Sequence, residues 1–149
     1  MGRPGRSSLP GVRARTLFIG LIAAVLCVGL LAAPALAGKK KKTTVVFNSG
    51  SPSVKSSGTV KATGSLKTTD SCKLGRGMKL FQTDQAGAVL ATLDSATSDG
   101  NGNWRLSGKL SKSTPAGSTV YIQAKATKRT VNKAVCKAGL SPIVSLTAP

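Results

Sequence analysis

Apolar and polar residues trade places every second position along most of the chain after Gly38. Val60, Ala62, Gly64 and Leu66 alternate with Lys61, Thr63, Ser65 and Lys67, the period of a strand with one buried face. Met78, Leu80 and Gln82 alternate in the same way with Lys79, Phe81 and Thr83, and Trp104, Leu106, Gly108 and Leu110 with Arg105, Ser107 and Lys109. Val120, Ile122, Ala124 and Ala126 repeat the pattern against Tyr121, Gln123 and Lys125. Thr43–Phe47 and Ile143–Thr147 read as short strands, and Val89–Leu93 as another whose alternation is less regular. No stretch after Gly38 carries a helical period.

The punctuation between these runs suits hairpins. Gln85-Ala86-Gly87, Asp99-Gly100-Asn101-Gly102 and Pro115-Ala116-Gly117 supply the Gly and Asn that accept positive φ. The connection from Thr127 to Pro142 has no recognisable turn type and is expected to be a long loop carrying Cys136. The expected fold is therefore an all-β antiparallel sandwich of about seven strands.

Before Gly38 the pattern is of another kind. Arg3, Arg6, Arg13 and Arg15 precede an unbroken apolar run from Leu17 to Ala33, and Ala35-Leu36-Ala37 follows Pro34. A cationic start, an apolar stretch and small residues at a peptidase site make an export signal over residues 1–37. The rival reading is an uncleaved anchor over residues 16–37, since the run approaches the ~20 residues that span a bilayer. Lys39–Lys42 on its far side weaken any orientation by positive charge. A lipoprotein route through Cys27 is disfavoured by Leu26 before it, and no Arg-Arg pair suggests a twin-arginine signal. The protein is expected to be secreted or held at the cell surface. The remainder divides into a basic and Ser/Gly-rich segment, 38–58, in which Lys39–Lys42 read as a tether and Asn48–Gly58 as an early loop around one short strand, and a sandwich domain, 59–149.

Export changes the meaning of the cysteines. Cys27 leaves with the signal, and Cys72 and Cys136 remain as a pair in an oxidising compartment, where a disulfide is the simplest state. A redox couple or a thiol nucleophile is the functional alternative, and neither a Cys-x-x-Cys spacing nor a histidine supports it.

Charge follows the same boundary. The whole chain carries +18, and loss of the four signal arginines leaves it strongly basic against Asp70, Asp84, Asp94 and Asp99. Such a chain is attracted to polyanions. Histidine is absent and every acidic residue is an aspartate, so the usual general acids, bases and metal ligands are missing; no enzyme, cofactor or metal is expected. Asp99, Asn101 and Asn103 stand at alternate positions like the start of a calcium loop. Trp104 takes the place of the loop glycine and Leu110 that of the bidentate acid, which favours a hairpin.

If Cys72 and Cys136 pair, Lys73 and Arg76 are pinned beside Lys128, Arg129, Lys133 and Lys137 at one end of the sandwich. Loops at a sandwich end are a usual place for binding, and these six cations are the candidate anion-binding residues. The expected partner is an anionic cell-envelope polymer or lipid headgroups. The plain alternative is a structural or protein-interaction module whose lysines confer solubility. Specific nucleic-acid binding is not expected: Phe47, Phe81, Trp104 and Tyr121 fall in or beside strands and offer no stacking platform, although Phe81 and Tyr121 alternate away from the core face.

Thr97-Ser98-Asp99-Gly100-Asn101-Gly102-Asn103-Trp104 resembles the T-D-x-x-G-x-aromatic hairpin of carboxypeptidase-regulatory-like and related prealbumin-like or Ig-like sandwiches of bacterial surface proteins. Arg76-Gly77-Met78-Lys79-Leu80 is similar to their preceding R-x-V-x-L strand, and Gly117–Ala124 to the following G-x-Y-x-A strand. The resemblance implies a sandwich in an extracellular setting, serving as a spacer, adhesion module or binding unit without catalytic residues. A disulfide is not part of that general pattern.

Overall fold

The computed structural model describes residues 38–149, and the expected signal or anchor over 1–37 lies outside them. Twelve strands follow in order: β1 Lys40–Lys41, β2 Thr44–Phe47, β3 Ser53–Val54, β4 Thr59–Lys67, β5 Gly77–Thr83 and β6 Val89–Thr97. The remainder are β7 Asn103–Lys109, β8 Thr119–Ala126, β9 Arg129–Val131, β10 Ala134–Cys136, β11 Gly139–Leu140 and β12 Val144–Thr147. A single 3₁₀ turn, Asp70–Cys72, interrupts the β4–β5 connection.

The long alternating runs became the central strands. β4 has β2 and β3 along one edge and β7 along the other. β8 lies beside β5, which pairs with β6, while β11 and β12 share the outer edge of β8. These sheets are antiparallel throughout and pack face to face, as the sandwich reading requires. Their inner faces supply Val45, Val60, Ala62, Leu66, Met78, Leu80, Trp104, Leu106, Ile122 and Ala124 to one core. This core lies inside one compact unit that takes in all of residues 38–149.

With so few aromatic side chains, Trp104 fills much of the core's width. Gly64 stands opposite it on β4, and a Cβ there would collide with the indole and with the Val46 carbonyl. The glycine makes room for the indole, while Phe47 packs edge-on with ring centroids 5.5 Å apart. Phe81, on the other face of β5, is nonetheless buried, and Tyr121 is half-buried.

Irregular alternation in β6 has a geometric cause. The pairing with β5 shifts between Leu80 and Phe81 and again between Gln82 and Thr83, so Leu93 and Leu90 of β6 have no opposite residue. Two bulges reset the face that each side chain takes. Leu93 packs on the core, whereas Leu90 is exposed. Thus β6 is longer than its pattern predicts.

Two expectations are corrected. Thr127–Pro142 is not an unstructured loop: it holds the β9–β10 hairpin and then β11. The hairpin turns through Asn132 and Lys133 at φ 45° and 65°, the left-handed pair that a two-residue turn demands. Nor is Lys39–Lys42 a tether, because β1 pairs in parallel with β10, setting Lys40 opposite Val135 and Lys41 opposite Cys136. A third, small sheet of β1, β10 and β9 caps one end of the sandwich.

Candidate functional site

That capped end is where the basic residues meet. Four chain segments converge on it: the start at Lys39–Lys42, the β4–β5 connection, the Ser98–Gly102 turn and the β9–β10 hairpin. Backbone bonds tie them together, from Leu66 N to Gly102 O at 2.9 Å, Gly75 N to Ser98 O at 2.9 Å, and Lys137 N to Lys41 O at 2.9 Å. A disulfide joins Cys72 to Cys136 across 64 residues of sequence, with Cα atoms 5.8 Å apart.

Arg76 is not on the surface. Its side chain is wholly buried, and Nη2 donates to the carbonyls of Cys136, at 3.1 Å, and of Lys137, and to Thr43 Oγ1 at 3.4 Å. Its backbone is held by Ser98, whose Oγ accepts from Arg76 N at 3.0 Å. Burial, and then the nearby Arg129 charge, push the Arg76 guanidinium below its ordinary pKa, since both disfavour the cation. Arg76 therefore bonds the hairpin base from inside and presents nothing to a ligand.

Arg129 performs the matching task outside. Its Nη1 donates to Leu74 O at 2.6 Å and Gly75 O at 2.7 Å, fastening the β4–β5 connection to the hairpin. Gly75 has φ 62°, a left-handed backbone that favours glycine, and the Arg129 guanidinium lies against it. Lys73 pairs with Asp70 at 2.8 Å, and that ammonium holds the Asp70 carboxyl below its ordinary range.

Lys128, Lys133 and Lys137 are exposed, as are Lys39, Lys40 and Lys42. Sequence reasoning missed these last three as site residues. A run of lysines has no period, and its strand partner lies at the opposite end of the chain. The result is an open surface whose lysines come from both ends of the described segment. Lysines also stand elsewhere: Lys61 sits against Lys55 near the opposite end of β4, where hydrogen bonding and charge from Lys55 push its pKa down.

The calcium-like run does other work. Asp99 accepts from Asn101 N at 2.9 Å, Asn103 N at 2.8 Å and Asn103 Nδ2 at 3.3 Å, closing the β6–β7 turn. Those bonds, the one from Asn103 N foremost, hold the Asp99 carboxyl below its ordinary pKa. Among the described residues no group of three or more His, Cys, Asp or Glu is placed to hold a metal.

Neither of two clefts is lined by a lysine. One, of about 570 Å³, borders the Ser98–Gly102 turn at Asp99 and runs beside Asn48, Thr63, Asn103 and Arg105. The other, of about 560 Å³, is at the far end beside Gln82, Ser111 and Tyr121. Exposed lysines on an open end suit an extended anionic partner better than an enclosed small molecule.

No protein-family model matches the chain, and comparison with curated proteins and with solved structures likewise gives no match. Function has to be read from the chain's own residues.

Proposed function

We propose that this chain is an exported, non-enzymatic β-sandwich module that binds an anionic polymer or anionic lipid headgroups of the cell envelope through its capped basic end. One observation carries the reading: parallel pairing of β1 with β10, beside the Cys72–Cys136 disulfide, gathers Lys39, Lys40, Lys42, Lys133 and Lys137 on a fixed scaffold. Conformational entropy that flexible lysines would lose on binding is reduced when their backbone is already ordered. The connectivity, β2/β3–β4–β7 against β6–β5–β8–β12, supports placing the fold with Ig-like sandwiches, whose end loops commonly bind. Absence of histidine and glutamate from the sequence supports a role without catalysis.

The test sets local placement against net charge. One variant carries Lys40→Gln, Lys128→Gln, Lys133→Asn and Lys137→Gln, with Asn chosen because it tolerates left-handed backbone. A second, of equal charge, carries Lys55→Gln, Lys61→Gln, Lys109→Gln and Lys112→Gln toward the other end. Nine residues of β4 at ~3.3 Å each separate the ends by more than a Debye length. Binding to an immobilised phosphate polymer is expected to fall on the order of a thousandfold in the first variant, at about 1 kcal/mol per lysine. It should fall less than about threefold in the second. Equal losses would favour the alternative, a structural or protein-interaction module whose charge acts only through solubility, a reading that the Lys55–Lys61 pair keeps in play.

A further inference from the structure

We infer that the basic end docks on an anionic lipid bilayer, with Leu74 entering the apolar layer between the flanking cations; this rests on the binding reading above and selects its partner. Leu74 is 64% exposed, although the backbone on both sides of it is fastened. Cys72, two residues earlier, is in the disulfide; the Lys73 carbonyl accepts from Ser98 Oγ; the Leu74 and Gly75 carbonyls accept from Arg129. Gly75 N donates to Ser98 O at 2.9 Å, and Arg76, the next residue, is buried. So Leu74 is held in water by a rigid loop.

A single exposed leucine is ordinary on a protein surface. Its surroundings here are not. Arg129 bonds the Leu74 carbonyl, Lys73, paired with Asp70, precedes Leu74, and the exposed Lys128 adjoins Arg129 in the chain. A fixed, exposed leucine beside Arg129, on the end that carries the exposed lysines, is an arrangement that a charged interface rewards: the cations meet headgroups while the leucine leaves water. A hydrophilic polyanion offers the lysines the same attraction and gives the leucine nothing. Leu90 is equally exposed, at 65%, but lies on β6 near the opposite end, which makes it the internal control.

Residues 38–149 are assayed against vesicles of phosphatidylglycerol and phosphatidylcholine, and separately against soluble polyphosphate. Leu74→Ser is expected to weaken vesicle binding about tenfold, from loss of one buried leucine side chain, and to leave polyphosphate binding unchanged. Leu90→Ser should match the wild type with both probes. Leu74→Trp should bind vesicles at least as tightly as the wild type and be quenched by brominated acyl chains. If Leu74→Ser binds vesicles like the wild type, or loses both probes alike, or Leu74→Trp is not quenched, membrane entry is overturned while the basic-end reading stands. If the variant neutralised at Lys40, Lys128, Lys133 and Lys137 binds both probes undiminished, the basic-end reading itself falls.

Discussion

Arg76 shows how far one residue's role can depart from its composition. Its charge invites an anion-binding reading, yet its guanidinium is enclosed and spends its Nη2 hydrogen bonds on Thr43, Cys136 and Lys137. Nε and Nη1 find no partner among the described residues, so the buried cation carries a desolvation penalty that partly offsets those bonds. Arg76→Ala is expected to lower stability by about 2–3 kcal/mol, by orphaning the buried Cys136 carbonyl and the part-buried Lys137 carbonyl and leaving a cavity. Phosphate-polymer affinity should not change under conditions where the variant is folded. Denaturant unfolding and a binding isotherm check both, and lost affinity with stability intact would return Arg76 to the binding surface. None of this was legible in the sequence, because its partners are backbone carbonyls and a threonine 33 positions away. The cysteines, by contrast, were informative: with Cys27 assigned to the expected signal, Cys72 and Cys136 were left as a pair, and they are bonded to each other.

Strands of four residues or more announced themselves, and those of two or three did not. β7 and β8 bury every second side chain along their whole length, as Asn103–Lys109 and Thr119–Ala126 alternate in type. β6 does not, because its two bulges reset the alternation within nine residues. β1, β9, β10 and β11 have two or three residues each, too few for a period to appear. They form through pairing, and the disulfide fastens β10 to the β4–β5 connection. Replacing Cys72 and Cys136 together by serine should therefore cost about 4 kcal/mol on the loop-entropy estimate for a 64-residue separation. Hydrogen exchange is expected to accelerate first at amides of β1, β9 and β10, while β4 and β8 keep their protection. Uniform acceleration would mean that the small sheet stands without its covalent staple.

Across the whole molecule, charge is the property that topology reorganises most. The sequence spreads lysines from Lys39 to Lys137, and folding brings the two extremes together on one end. Half of that surface was legible from the cysteine pairing, which places the Lys73 loop beside the Lys128–Lys137 segment. The other half, Lys39–Lys42, depends on parallel pairing between strands remote in sequence, which leaves no local trace. A molecule so arranged should bind polyanions by displacing counterions from one face, and salt dependence counts the contacts that do so. The most direct measurement is the slope of log affinity for polyphosphate against log salt, between roughly 50 and 200 mM. The wild type is expected to give a slope of about −3 or steeper, at roughly 0.7 per phosphate contact. Neutralising Lys40, Lys128, Lys133 and Lys137 should flatten it by about 2 or more, and neutralising Lys55, Lys61, Lys109 and Lys112 should leave it unchanged. Equal slopes for the two variants would contradict a basic-end binding site.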